Sequence, residues 1–323
     1  MESLYRPIIK KAWDYLKEYK FLWLLGLFAS LWGAAAEYNA LFTQYDRLRR
    51  QPELFASFQF SLEFVGDFFR SLGEQSALNV FSIILILLFF LLIILVLAWL
   101  ATIGQAGLTR AAEKLEKGRK IGLRELMVDG AHYFWPVLGL NVLAKAIIFI
   151  LLTALVTPLL VVLMAQNSGW AIFLAFATLI IFVPIAIIIT FVTKYAIAYT
   201  VVKGQSFWES FGHGWRLFTR NWLISLEMAL IVLILNVALA FILGIFSLLL
   251  MAPILLVGLA SSGAGAFYFF IVLVIVVTAI IFLVATAIFS AWQNLAWTLL
   301  FLKICEGVSL PKIIRWIAGK LNR

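Results

Sequence analysis

Three stretches of this chain share one plan: an amphipathic segment rich in aromatic residues runs directly into a long apolar one. They read Ile8 to Leu27, Leu123 to Leu140 and Phe207 to Leu226. Each suits a helix lying flat on a bilayer that turns into it at a tryptophan, Trp23, Trp135 or Trp222. In the third copy Phe207, Phe211, Trp215, Phe218 and Trp222 recur at helical spacing, while Glu209, His213, Arg216 and Arg220 occupy the remaining face. That layout predicts rings among acyl chains and charges in water. Trp13, Trp208 and Trp215 join the three junction tryptophans as expected interface anchors. The competing reading is an amphipathic helix packed on the ends of the spans. Repetition at this scale is a strong constraint on fold, and it predicts three helix–span–span units, about 1–118, 119–204 and 205–307, in a single membrane domain.

Composition agrees with a membrane chain. Of 323 residues 64% are hydrophobic and only 13% charged, against roughly 25% charged in soluble domains. Mean hydropathy is +1.06. Several apolar runs exceed the ~20 residues that cross a hydrocarbon core of ~30 Å. A membrane barrel would instead alternate polar and apolar residues in ~10-residue segments. The fold class is therefore all-α and polytopic, read as six spans. They are Phe21 to Ala36, about Leu78 to Gly104 with a helical extension to Gly118, Pro136 to about Ala165, Trp170 to Val202, Trp222 to Met251 and Ala266 to Ile304.

Charge fixes the expected orientation. The net charge is +9, but the basic residues sit at span ends, which argues for topology and against nucleic acid. Lys and Arg cluster in the N-terminal segment (Arg6 to Lys20), the second-to-third connection (Arg110 to Arg124), the fourth-to-fifth connection (Lys194, Lys203, Arg216, Arg220) and the tail (Lys303 to Arg323). On the opposite side stand Arg47, Arg49, Arg50 and Arg70. Both termini are thus expected in the cytoplasm. Ala34-Ala35-Ala36 after a charged start also resembles a secretory signal. The long leading region with Glu2, Asp14 and Glu18 argues against that.

The junctions carry turn signals. Lys117-Gly118, Lys203-Gly204 and Glu306-Gly307 each follow an even-numbered span, where Gly can take the left-handed conformation that ends a helix. Ser206 precedes Glu209 at capping-box spacing. Ser309 and Pro311 open an expected interface helix over 308–323. Within Glu37 to Ala77, apolar residues from Phe55 to Leu72 at spacings of three and four predict a helix on the outer face.

Polar residues inside spans are the candidate site, because they are expensive in hydrocarbon. They are Asn141 and Lys145 in the third span, Glu227 and Asn236 in the fifth, and Gln293 and Asn294 in the sixth. Lys145 lies ~15 Å along its span and is expected to pair with Glu227, assisted by Asn141. A snorkelling Lys145 is the alternative. Pro158 and Pro184 can kink their helices. Neither His132 nor His213 sits in a metal spacing, and nucleophile-elbow and Walker patterns are lacking. No cofactor is implied. Cys305, the only cysteine, makes no intrachain disulfide.

The succession of aromatic interface helix, span pair and Gly-ended extension resembles the membrane domain that accompanies some bacterial glycerophosphodiester phosphodiesterases. It is similar also to related stand-alone six-span proteins. The family's catalytic barrel has no counterpart here, so the resemblance implies a membrane module without hydrolase residues. The expected partners are membrane lipids, with a protein partner or a second copy of the chain. The expected function is a non-enzymatic lipid- or partner-binding module. The alternative is a transporter of small molecules or ions with its polar site among the third, fifth and sixth spans.

Overall fold

The computed structural model describes residues 5–31, 70, 77–164, 168–260 and 264–307. Every element among them is helical: α1 (Tyr5–Glu18), α2 (Leu22–Ser30), α3 (Ala77–Glu116), α4 (Leu123–His132), α5 (Phe134–Met164), α6 (Ser168–Lys203), α7 (Phe207–Arg220), α8 (Trp222–Ala260) and α9 (Ala264–Cys305). Among the described residues, five segments are long and apolar enough to cross a membrane: Leu78–Glu116, Phe134–Leu155, Ile180–Lys203, Trp222–Pro253 and Ile271–Cys305. The chain is therefore a multi-pass helical membrane protein. Of the expected first span, the described part is α2, whose nine residues cover ~13.5 Å. The expected outer-face helix (apart from Arg70) and the C-terminal helix over 308–323 lie outside the described residues.

Helix length and exposure separate two zones along α3. Its 40 residues measure ~60 Å, twice a hydrocarbon core. From Leu78 to Trp99 almost every residue is exposed, while Ala101, Ile103, Ala106, Leu108 and Ala111 are buried. A continuous apolar exposed surface of this length belongs in lipid. In α9 the exposed apolar residues run from Phe269 to Val284, and burial begins at Ala287.

The chain divides into two compact units, one of 1–31, 100–141 and 191–323, the other of 32–99 and 142–190. In the second, Ile148 of α5 packs with Phe182 and Ala186 of α6, flanked by Leu151, Leu152, Leu155, Val183 and Ile189. Thr178 Oγ1 donates to Leu155 O at 3.4 Å. Advancing along α5 means retreating along α6, so this pair is antiparallel. α6 continues through Pro184 as helix.

The first unit is built on close helix contacts. A Cβ on Gly26 would overlap the Ala287 carbonyl oxygen and stand 2.6 Å from the Ala291 Cβ, so α2 and α9 touch backbone to backbone. A Cβ on Gly130 of α4 would meet Ile103 O of α3 at 2.6 Å, and one on Gly214 of α7 would meet Val192 O of α6 at 2.9 Å. Small residues permit this approach, and lipid-embedded helices associate through it. One buried cluster joins Ala106, Val137, Leu140, Ala196, Ile197 and Val201, with Tyr133, Phe207 and Phe211 packed on it.

That cluster corrects the expected orientation of α7. Its buried residues are Ser210, Gly214 and Phe218, and Phe207 and Phe211 face protein as well. Trp208 and Trp215 are exposed. The helix nests by its small and phenylalanine face because Ser210 and Gly214 leave room, and its tryptophans remain outside. α1 does likewise: Tyr5, Ile8, Ala12 and Leu16 are buried, and Trp13 is exposed.

The helix ends follow the expected turn chemistry. Gly118, Gly204 and Gly307 have φ of 71°, 66° and 80°. After α3, Arg119 N donates to Lys114 O and Gly118 N to Leu115 O, both at 3.0 Å, which is the paired closure of a Schellman motif. After α6 a single bond from Gly204 N to Thr200 O at 3.1 Å closes the turn. Ser206 then opens α7, and its N–H donates to Glu209 Oε2 at 3.2 Å.

Candidate functional site

Five of the six polar residues expected to form a site belong to the first unit. Asn141 lies two turns into α5 on the face of Val137 and is buried. Its Nδ2 donates to Gln105 Oε1 of α3 at 2.8 Å and to Val137 O at 3.0 Å. Glu227, half-buried near the start of α8, accepts a hydrogen bond from the Tyr5 phenol of α1. Lys145, also half-buried, belongs to the second unit. Asn236 is exposed on α8. Asn294 and Gln293 are half-buried on α9, and Asn294 Nδ2 donates to Ser290 O at 2.9 Å. The geometry thus ties Asn141 to α3 and Glu227 to α1. Asn294 is tied to its own helix, and Asn236 faces outward.

A charged cluster at the C-terminal end of α3 joins several helices. Arg110 and Lys117 (Nζ–Oε1 2.6 Å) flank the buried Glu113. Lys114, itself buried, reaches Glu125 Oε1 and Asp129 Oδ2 of α4, each at 2.5 Å. Glu116 receives Lys11 of α1 at 2.9 Å and stands 3.9 Å from Lys303 of α9. Lys303 also pairs with Glu306 at 2.9 Å. Five basic groups meet five acidic ones, so the cluster is neutral and its bonds are spent between helices. Tyr15 adds its hydroxyl to Glu116 at 3.4 Å. Burial, and then the Glu116 carboxylate, push that phenol up to about 12.

These residues escaped the sequence reading, which counted the basic members as a topology signal and passed over Glu113, Glu116, Glu125 and Asp129. The signal was present in Glu113–Lys117 at i,i+4, a spacing that places the pair on one helix face. Tyr5 and Gln105 carried none. Lys194 lies inside α6, within the candidate span Ile180–Lys203.

The expected anchors stand at the helix starts. Trp135 and Trp222 are 77% and 55% exposed on the first turns of α5 and α8. Trp23, half-buried, donates from Nε1 to Leu16 O at 3.2 Å. Lys17 Nζ lies 5.7 Å from the Trp13 ring centroid. No family model, no curated protein and no solved structure matches this chain.

Proposed function

We propose that the protein is a non-enzymatic, lipid-binding module of a prokaryotic cytoplasmic membrane, with both termini in the cytoplasm. Its carrying observation is the contrast between inside and outside. The packed unit spends Asn141, Glu227, Asn294 and the α3 charges on bonds within itself. The outer surface is apolar along the spans and bears exposed tryptophans where helices begin. A transport reading asks for polar side chains with free hydrogen-bonding capacity around an interior path. Asn141 has spent both amide donors, and Asn236 is exposed.

The threefold arrangement belongs to the same proposal. α4 packs on the end of α3, and α7 on the end of α6. α1 lies on α9, where Trp292 Nε1 donates to Ile9 O at 3.4 Å. Each short helix thus covers the end of a Gly-terminated helix, and the series closes on itself.

The test is lipid selection in nanodiscs of mixed phosphatidylglycerol and phosphatidylcholine. The exposed basic rim attracts anionic lipid at ~1 kcal/mol per well-placed Lys or Arg. Phosphatidylglycerol should therefore be enriched around the protein, and less so as salt rises. Equal recovery of both lipids at low salt would overturn the reading. Orientation is tested by labelling Lys117→Cys or Arg216→Cys in a Cys305→Ser background, where a membrane-impermeant thiol reagent should react only from the cytoplasmic side.

A further inference from the structure

Among the described residues, Lys194 enters this fold without a carboxylate. It stands nine residues before Lys203, ~13.5 Å along α6, and is half-buried. Among the described residues no acid lies within ion-pair distance of it, and its ammonium makes no hydrogen bond. What it meets is an aromatic ring: Nζ lies 4.8 Å from the Trp297 centroid on α9. A ring face attracts an ammonium but accepts none of its three N–H bonds in the usual way.

Trp297 has the same deficit. It is buried, and its Nε1 has no acceptor among the described residues. Neighbouring oxygens are engaged elsewhere. Tyr195 and Ser225 bond each other at 2.7 Å, and Thr298 Oγ1 donates to Asn294 O at 2.9 Å. Two donors, the Lys194 ammonium and the Trp297 indole N–H, therefore stand on neighbouring side chains with no acceptor among the described residues. A donor-only site that includes a lysine amine suits an anion with at least two acceptor oxygens.

Depth narrows the anion. The Tyr195–Ser225 bond sets α6 level with α8 one residue from Lys194. Ser225 lies three residues, ~4.5 Å, beyond the exposed Trp222. Tryptophan favours the headgroup region, so Lys194 sits at or just beneath lipid phosphates, within reach of its four-carbon stem.

We propose that Lys194 and the Trp297 indole N–H form a phosphate-binding site. One phosphate oxygen sits on the ammonium and a second on the indole N–H. The occupant is the phosphodiester of an anionic phospholipid in the leaflet that holds Trp222. The choline of a zwitterionic lipid would bring a second cation beside Lys194, so phosphatidylglycerol is preferred to phosphatidylcholine. This assignment rests on the lipid-binding reading above and adds to it one specific place.

The experiment is native mass spectrometry of the full chain in a non-ionic detergent, titrated separately with short-chain phosphatidylglycerol, short-chain phosphatidylcholine and inorganic phosphate. The wild-type protein should bind phosphatidylglycerol more tightly than phosphatidylcholine. Lys194→Gln should weaken the first roughly tenfold or more, Lys194→Arg should retain it, and Trp297→Phe, which keeps the ring and removes the donor, should weaken it severalfold. Competition by inorganic phosphate through the same two residues would uphold the site and make free phosphate a second occupant. Wild-type affinity in both Lys194→Gln and Trp297→Phe would overturn the site while leaving the lipid-binding reading standing. Absence of any preference in the wild-type protein would overturn both. Should Lys194→Gln fail to fold, the comparison of Lys194→Arg with Trp297→Phe decides: equal, unreduced affinity in both overturns the site, and a loss confined to Trp297→Phe upholds it.

Discussion

At the scale of single residues, Asn141 and Gly26 explain how a nearly apolar chain acquires specific contacts. The Asn141 amide is buried and bonds Gln105 across two helices. Asn141→Ala removes the donor and leaves Gln105 Oε1 without that partner, at a cost of about 1–3 kcal/mol. Replacing both residues by leucine removes donor and acceptor together and should recover part of that loss, which a double-mutant cycle in thermal unfolding measures. Non-additivity is the expected sign of direct coupling, and simple addition would refute it. Gly26 acts through absence. Because its missing Cβ is what lets α2 reach the Ala287 carbonyl and Ala291, Gly26→Ala must push the helices apart, at about 1–3 kcal/mol. The obstacle is backbone and cannot swing aside. Unchanged unfolding in Gly26→Ala would mean that α2 and α9 do not touch there.

At the scale of elements, the caps are where local sequence and local structure agree most closely. Gly118, Gly204 and Gly307 take the left-handed conformation because a side chain there would crowd the backbone. Gly204→Ala should therefore cost about 1 kcal/mol although open space surrounds it. Glu209 offers a pH test. Hydrogen bonds from Ser206, its hydroxyl first and its backbone N–H second, hold the Glu209 carboxyl below its usual value. A group depressed in the folded state contributes stability above its unfolded pKa and loses it as pH falls through the folded one. Amide exchange in the first turn of α7 should rise as pH is lowered through that range, after correction for intrinsic exchange, and Glu209→Gln should abolish the dependence. Such features were readable because each depends on neighbours within four residues. Helix extents were readable for a similar reason: the Gly118 end, Trp222 start and Cys305-side end of the long apolar runs carry their own signals. Facing was not. In α8 and α9 apolar residues occur all round the helix, so periodicity does not say which side is inside, and Asn236 lies exposed where an interior position was expected. The partners of Asn141 and Glu227 are 36 and 222 residues away, a distance over which pattern carries no information.

At the scale of the molecule, Glu116 is where separate parts of the chain converge. It receives Lys11 from α1, lies near Lys303 of α9, and meets the Tyr15 hydroxyl. If α1 closes the series of short helices by lying on α9, Glu116 ties that closing helix to α3. Its individual contacts are modest. Lys11 is about half exposed, and such pairs contribute about 0.2–1 kcal/mol each and weaken with salt. Glu116→Gln should accordingly destabilise the protein by about 1 kcal/mol at low ionic strength and by less at high. Tyr15 gives a readout specific to this junction. Its phenol titrates near 10 in the unfolded chain and at about 12 in the folded one, because burial and then Glu116 disfavour the phenolate. A raised folded pKa means that the associated stability is complete below pH 10 and is lost as pH rises toward 12. Lysines titrate over the same interval, so the quantity to measure is the difference between the wild-type protein and Tyr15→Phe. That difference should change with pH across this window and shrink when Glu116 is glutamine. A difference indifferent to residue 116 would separate Tyr15 from Glu116 and leave Lys11 as the link from α1 to that carboxylate.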